Sequence, residues 1–70
     1  MTEAQIAALT REVKAAQTNA SASGANANLV ALEKELIEGL RAEGAATAAQ
    51  LAWLALPSAQ QLAQASSLAF

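Results

Sequence analysis

The sequence predicts an all-α protein of three to four short helices, arranged as a small open bundle that oligomerisation or a partner completes. Three observations carry this. Apolar residues recur with helical spacing in two separate segments. Three Thr/Ser-x-x-Gln motifs, at Thr2, Thr47 and Ser58, mark helix starts. No segment shows the two-residue alternation of a half-buried strand.

The first helix is expected from about Thr2 to Gln17. Thr2 and Gln5 form a capping box, and Ile6, Leu9, Val13 and Ala16 follow with 3-4-3 spacing. That narrow stripe is a seam that needs another helix, because two heptads are too short to stand alone.

Residues 18–28 hold only Thr, Asn, Ala, Ser and Gly. They read as a flexible linker between an N-terminal helix (1–17) and a helical core (29–70). The alternative is that the Ala-rich flanks prolong the neighbouring helices into it.

The second helix should run from about Ala27 to Glu43, with Asn26 or Asn28 as its N-cap. Leu29, Val30, Leu32, Leu36, Ile37 and Leu40 share one broad face, the strongest core signal in the chain. Arg41 and Gly44 are stop signals. Gly39, at the edge of the apolar arc, suits a close helix approach.

The third helix should start at Thr47, with Gln50 completing its capping box, and end near Leu56, because Pro57 disfavours helical geometry in the residue before it. A fourth should start at Ser58, capped with Gln61, and place Leu62, Ala65 and Ala69 on one side and Gln60, Gln64 and Ser67 on the other.

Composition narrows the function. A chain of 70 residues is one domain at most, with a marginal core. The hydrophobic share of 54% is mostly Ala, which favours helix but buries little area. Cysteine is absent, so no disulfide compensates. His, Asp and Tyr are absent too. Acid–base work could fall only to Glu or Lys, and no Ser or Thr has a base beside it, so an enzyme is not expected. No cofactor and no metal is expected: no Gly-rich phosphate loop exists, and Glu35 and Glu38 sit at the spacing of a solvated helix face. Four basic residues and a net charge of −2 make a poor footprint for nucleic acid or anionic membrane. No signal peptide is visible, so the expected place is the cytoplasm or an assembly built there.

All charged side chains lie between Glu3 and Glu43. From Gly44 to Phe70 the chain is neutral, yet Pro57 and four glutamines interrupt it, so it is no membrane span. A charge-free helical surface is expected to be covered by protein, either a second copy or a larger partner. Trp53, Leu56 and Leu54 are the leading interface candidates. Trp53 and Leu56 lie roughly opposite Leu51 on a helical wheel, so one face should meet the core and the face centred on Trp53 a neighbour. The alternative places Trp53 in the core. Phe70 is either docked in a groove or frayed. Ile6, Leu9 and Val13 form the seam of the first helix, packed on its own chain or on another.

Glu33 projects into the apolar arc between Leu29, Leu36, Ile37 and Leu40. It either reaches solvent at the arc's open end or forms a buried ion pair with Arg11, Lys14 or a second copy.

The residues Thr47-Ala48-Ala49-Gln50-Leu51-Ala52, followed by Leu56-Pro57-Ser58-Ala59-Gln60-Gln61-Leu62, resemble the two-helix core of bacterial helix-turn-helix regulators. The resemblance covers about residues 29–69 and implies a tri-helical unit. Gln60, Gln61 and Gln64 would then face base edges. The turn is one residue short, Ala55 stands in the usual Gly region, and the would-be recognition helix has no Arg or Lys. The expected function is therefore a non-enzymatic protein–protein interaction module, such as a small viral or bacterial assembly component, an adaptor or an inhibitor. DNA-binding regulation is the alternative.

Overall fold

The computed structural model describes residues 1–19 and 23–70. Four α-helices follow one another: α1 (Glu3–Asn19), α2 (Ser23–Ala42), α3 (Ala48–Leu54) and α4 (Ser58–Gln64). A 3-10 turn, Ala65–Ser67, closes the order. No strand forms among the described residues. The all-α class and the helix number are as the sequence predicts.

The segment read as a linker is mostly helical at its described ends. α1 runs on to Asn19 and α2 begins at Ser23, so Asn26 and Asn28 lie inside α2 rather than capping it. Residues 20–22 of the expected linker lie outside the described residues. Alanine is the strongest helix former, and its density on both flanks extends each helix past its last large apolar residue.

At α1, Thr2 Oγ1 accepts from the Gln5 amide at 3.1 Å and Gln5 Oε1 accepts from the Thr2 amide at 2.8 Å. That is the reciprocal capping box the motif predicts. The stripe of α1 then lies on its own chain's α2, the most extensive helix pairing in the molecule. Leu9 and Val13 are buried, and Ile6 and Ala16 pack partly buried against the same core.

At Gly39 the start of the chain lies close over α2. A methyl group built there would lie 2.9 Å from Met1 Sδ, 3.0 Å from Met1 Cε and 3.7 Å from Ile6 Cγ1. α2 ends in a Schellman motif: the Ala45 amide donates to the Leu40 carbonyl at 2.8 Å and the Gly44 amide to the Arg41 carbonyl at 3.1 Å. Gly44 is left-handed there, with φ 70°.

α3 starts as expected, with Thr47 as N-cap and Gln50 closing the box. α4 does not. Its N-cap is Pro57, with no side-chain capping bond, and Ser58 is already helical. The reason is that the Gln61 side chain is turned away from the cap and into the core. Helical hydrogen bonding also tightens at Ala65, so α4 is only seven residues long and the chain leaves it extended at Leu68.

Candidate functional site

Two places stand out by an unusual match of side chain and environment. One is a polar node in the core. The other is the outward surface of the charge-free part.

The node begins with Glu33. On α2 it stands one helical turn from both Leu29 and Ile37, in the middle of the buried stripe. Its side chain has no solvent exposure, and Leu29, Leu36 and Ile37 around it have none either. Gln17, near the end of α1, reaches in and donates Nε2–H to Glu33 Oε2 at 2.9 Å. The same amide group donates to the Leu68 carbonyl at 2.6 Å and, more weakly, to the Ala65 carbonyl at 3.3 Å. One carboxamide thus ties α1, α2 and the segment after α4 together. The second carboxylate oxygen, Oε1, is buried with no hydrogen-bond partner.

Two expectations for Glu33 are corrected here. It does not reach solvent, and among the described residues it pairs with neither Arg11 nor Lys14. Arg11 and Lys14 are exposed on α1, and no cation contributes to the carboxyl's environment. A neutral amide takes the place of the expected cation. Burial pushes the carboxyl from its ordinary 4.5 up to about 7, and the Gln17 hydrogen bond offsets only part of that.

A second polar pair holds α3 against α4. Trp53 Nε1–H donates to the Gln61 carbonyl at 3.2 Å. In return Gln61 Nε2 donates to the carbonyls of Leu54 at 3.0 Å and Trp53 at 3.3 Å. Helix ends leave their last carbonyls without intrahelical donors, and Gln61 supplies donors to two of them at the end of α3. Gln50 works similarly. Its Oε1 accepts from the Thr47 amide at 2.9 Å while its Nε2 donates to the Ala69 carbonyl at 3.0 Å, so one side chain caps α3 and holds the last residues.

These bonds decide which way α3 and α4 face. Trp53 is 2% exposed and belongs to the chain's own core, so its placement on an outward face is corrected. The indole must bury both its ring and its N–H, and the Gln61 carbonyl is the acceptor that allows it. Leu54 and Leu56 are half-buried against the same core, as is Phe70. The outward large apolar residue of α3 is Leu51, at 39% exposure. Gln61 on α4 and Ala65 in the turn after it are buried, and Leu62 is turned outward at 38%. The grouping of Leu62 with Ala65 therefore fails.

Gln17, Gln50 and Gln61 have a part that the sequence reading does not assign. Gln50 appears there only as a cap, Gln61 as a cap and a base-facing side chain, and Gln17 as a helix end. A signal exists for Gln61: it stands one turn before Ala65, the residue whose small side chain lets the turn approach α1 and α2. Gln17 carries a similar one, standing one turn after Val13 of the α1 stripe.

An open groove of about 260 Å³ runs beside α1, lined by Met1, Gln5, Ala8, Leu9, Glu12 and Glu35. It carries two carboxylates and no basic side chain. Among the described residues no group of three His, Cys, Asp or Glu is placed to hold a metal ion, and no helix is long and apolar enough to cross a membrane. Glu35 and Glu38 are exposed, as their spacing predicts.

No protein-family model matches this chain, and neither a curated protein nor a solved structure shows significant similarity to it.

Proposed function

We propose that this chain is a non-enzymatic protein–protein interaction module that works by burying the neutral surface of α3 and α4. The observation that carries the reading is the outward placement of Leu51 and Leu62 on the two helices that have no charged residue at all. Isolated exposed leucines are ordinary on a protein surface. Here they sit on helices that carry no Lys, Arg or Glu, so a chain covering α3 and α4 would bury them without stripping water from a charge on either helix. A second copy meets this surface without like-charge repulsion, and self-association is the form of the reading to test.

The residues named for the interface change accordingly. Leu51 and Leu62 replace Trp53, which the chain covers itself. A DNA-reading role draws less support, because α4 offers glutamines but no cation to neutralise phosphate.

Light scattering on a size-exclusion column, run across a concentration series, tests this. Mass should rise with concentration for the native chain. The double variant Leu51→Glu, Leu62→Glu should stay monomeric with its helix content intact. A native chain that is monomeric throughout rejects self-association, and a double variant that still assembles rejects this surface.

A further inference from the structure

We propose that residues 65–70 form a pH-dependent latch, closed on the α1–α2 pair while Glu33 is protonated and released when it ionises. The geometry rests on Gln17. Its amide carries two N–H groups and serves three acceptors on two elements, Glu33 Oε2 on α2 and the carbonyls of Leu68 and Ala65 after α4. The carboxyl and the segment therefore share one donor group. Glu33 Oε1, buried and unpartnered, is the atom that will demand a donor once the group is charged.

A charged acceptor binds N–H groups roughly twice as strongly as a neutral carbonyl. An ionised Glu33 competes for the Gln17 amide and draws it from Leu68 and Ala65, or admits water to Oε1. In either case the element that yields is the one whose hold on α1 and α2 shares the Gln17 amide with Glu33. α1 and α2 form the most extensive pairing in the molecule. The segment beyond α4 is a three-residue 3-10 turn and an extended end, fastened by side-chain donors from Gln17 and Gln50, by the burial of the small Ala65 side chain and by the partial burial of Leu68 and Phe70.

No neighbouring charge softens the event. On α1 the charged groups Glu3, Arg11, Glu12 and Lys14 are all exposed, as are Lys34, Glu35, Glu38 and Arg41 on α2. α3, α4 and the 3-10 turn contribute none. The carboxyl's rise to about 7 by burial places the transition near neutrality. The chain has no His and no Cys side chain to titrate beside it. The latch does not depend on the interaction function proposed above.

Carbon-13 NMR of the whole chain between about pH 5 and about pH 8.5 tests it, reading the Glu33 carboxyl, the methyl groups of Ala65 and Leu68, and those of Val13 and Ile37. The carboxyl and the segment methyls should move together with one midpoint near 7. The segment shifts should collapse towards random-coil values while Val13 and Ile37 stay dispersed. Glu33→Gln should remain closed at both extremes. The proposal is overturned if the carboxyl titrates near 4.5, if the segment does not follow it, if Val13 and Ile37 collapse with the segment, or if Glu33→Gln keeps the transition. Should that variant fail to fold, the two native midpoints decide alone: coincidence supports the latch and divergence rejects it.

Discussion

At the scale of single residues, this protein depends on polar side chains placed where apolar ones are usual. Gln61 gives its amide to two carbonyls at the end of α3 and its own carbonyl to Trp53. Leaving such buried groups without partners costs about 1–3 kcal/mol each, so the glutamine is worth more to the core than a leucine of the same size. Glu33 is the opposite case, a polar group only half satisfied. Its consequence for stability has a definite sign. The folded chain keeps the proton up to about 7 and the unfolded chain releases it near 4.5. Between those values the native state binds more protons, so stability falls as pH rises, and the loss is complete above the upper value. The full span is on the order of 3 kcal/mol. Urea unfolding at matched temperature should show the native chain weaker at about pH 8 than at about pH 5, with Glu33→Gln showing no such decline in that range. Equal midpoints for the native chain would mean that Glu33 is hydrated.

At the scale of elements, local rules account for where most helices begin and end. The Thr2 and Thr47 boxes form as their spacing requires. The Ser58 box does not, because Pro57 takes the cap position and Gln61 is claimed by α3. Gly39 and Gly44 separate propensity from geometry. Gly44 has φ 70° with open space around it, so Gly44→Ala should cost about 1 kcal/mol through backbone strain alone. Gly39 lies in regular helix, and the atoms nearest an added methyl are the far end of the Met1 side chain. Met1 is 49% exposed and can swing away. Gly39→Ala should therefore stabilise by up to about 1 kcal/mol. Thermal unfolding of the two variants should shift the midpoint in opposite directions. A fall for Gly39→Ala would show that Met1 is held in place over α2.

At the scale of the whole molecule, the chain is a thin body of 31 × 23 × 15 Å measured over its Cα atoms. The shortest extent holds about two helix layers, since packed helices lie roughly 8–10 Å apart. Every helix therefore keeps a solvent face, and the buried apolar core among the described residues is small: Leu9, Val13, Leu29, Leu36, Ile37, Trp53 and Ala65. Trp53 is the largest of them. Replacing a buried Trp by Ala costs about 3–5 kcal/mol, and a domain of this size has about 4–10 kcal/mol in all. Trp53→Ala should abolish most of the cooperative thermal transition seen by circular dichroism. A variant that kept a sharp transition near the native midpoint would mean that α3 contributes little to the common core. Because the indole is buried by its own chain, its emission should be blue-shifted at every protein concentration.

The sequence by itself determined the helical class, the approximate spans of α1 and α3, the caps at Thr2 and Thr47, the stop at Gly44 and the inward faces of α1 and α2, but not the early start of α2 at Ser23 or the end of α4 at Gln64. Those features follow from periodicity and from backbone groups satisfied within a few residues, which are local and leave a local trace. Only the tertiary structure decided which face of α3 and α4 turns inward, that Glu33 meets an amide rather than a cation, and that Gln17 and Gln50 hold the last residues. Short Ala-rich helices have little apolar contrast between their sides, so the choice passes to hydrogen bonds across long sequence separations: Trp53 to Gln61, Gln50 to Ala69, and Gln17 to Glu33 and Leu68. Such pairings exist only once the helices are packed, because a glutamine reads the same in sequence whether it faces water or a buried carbonyl.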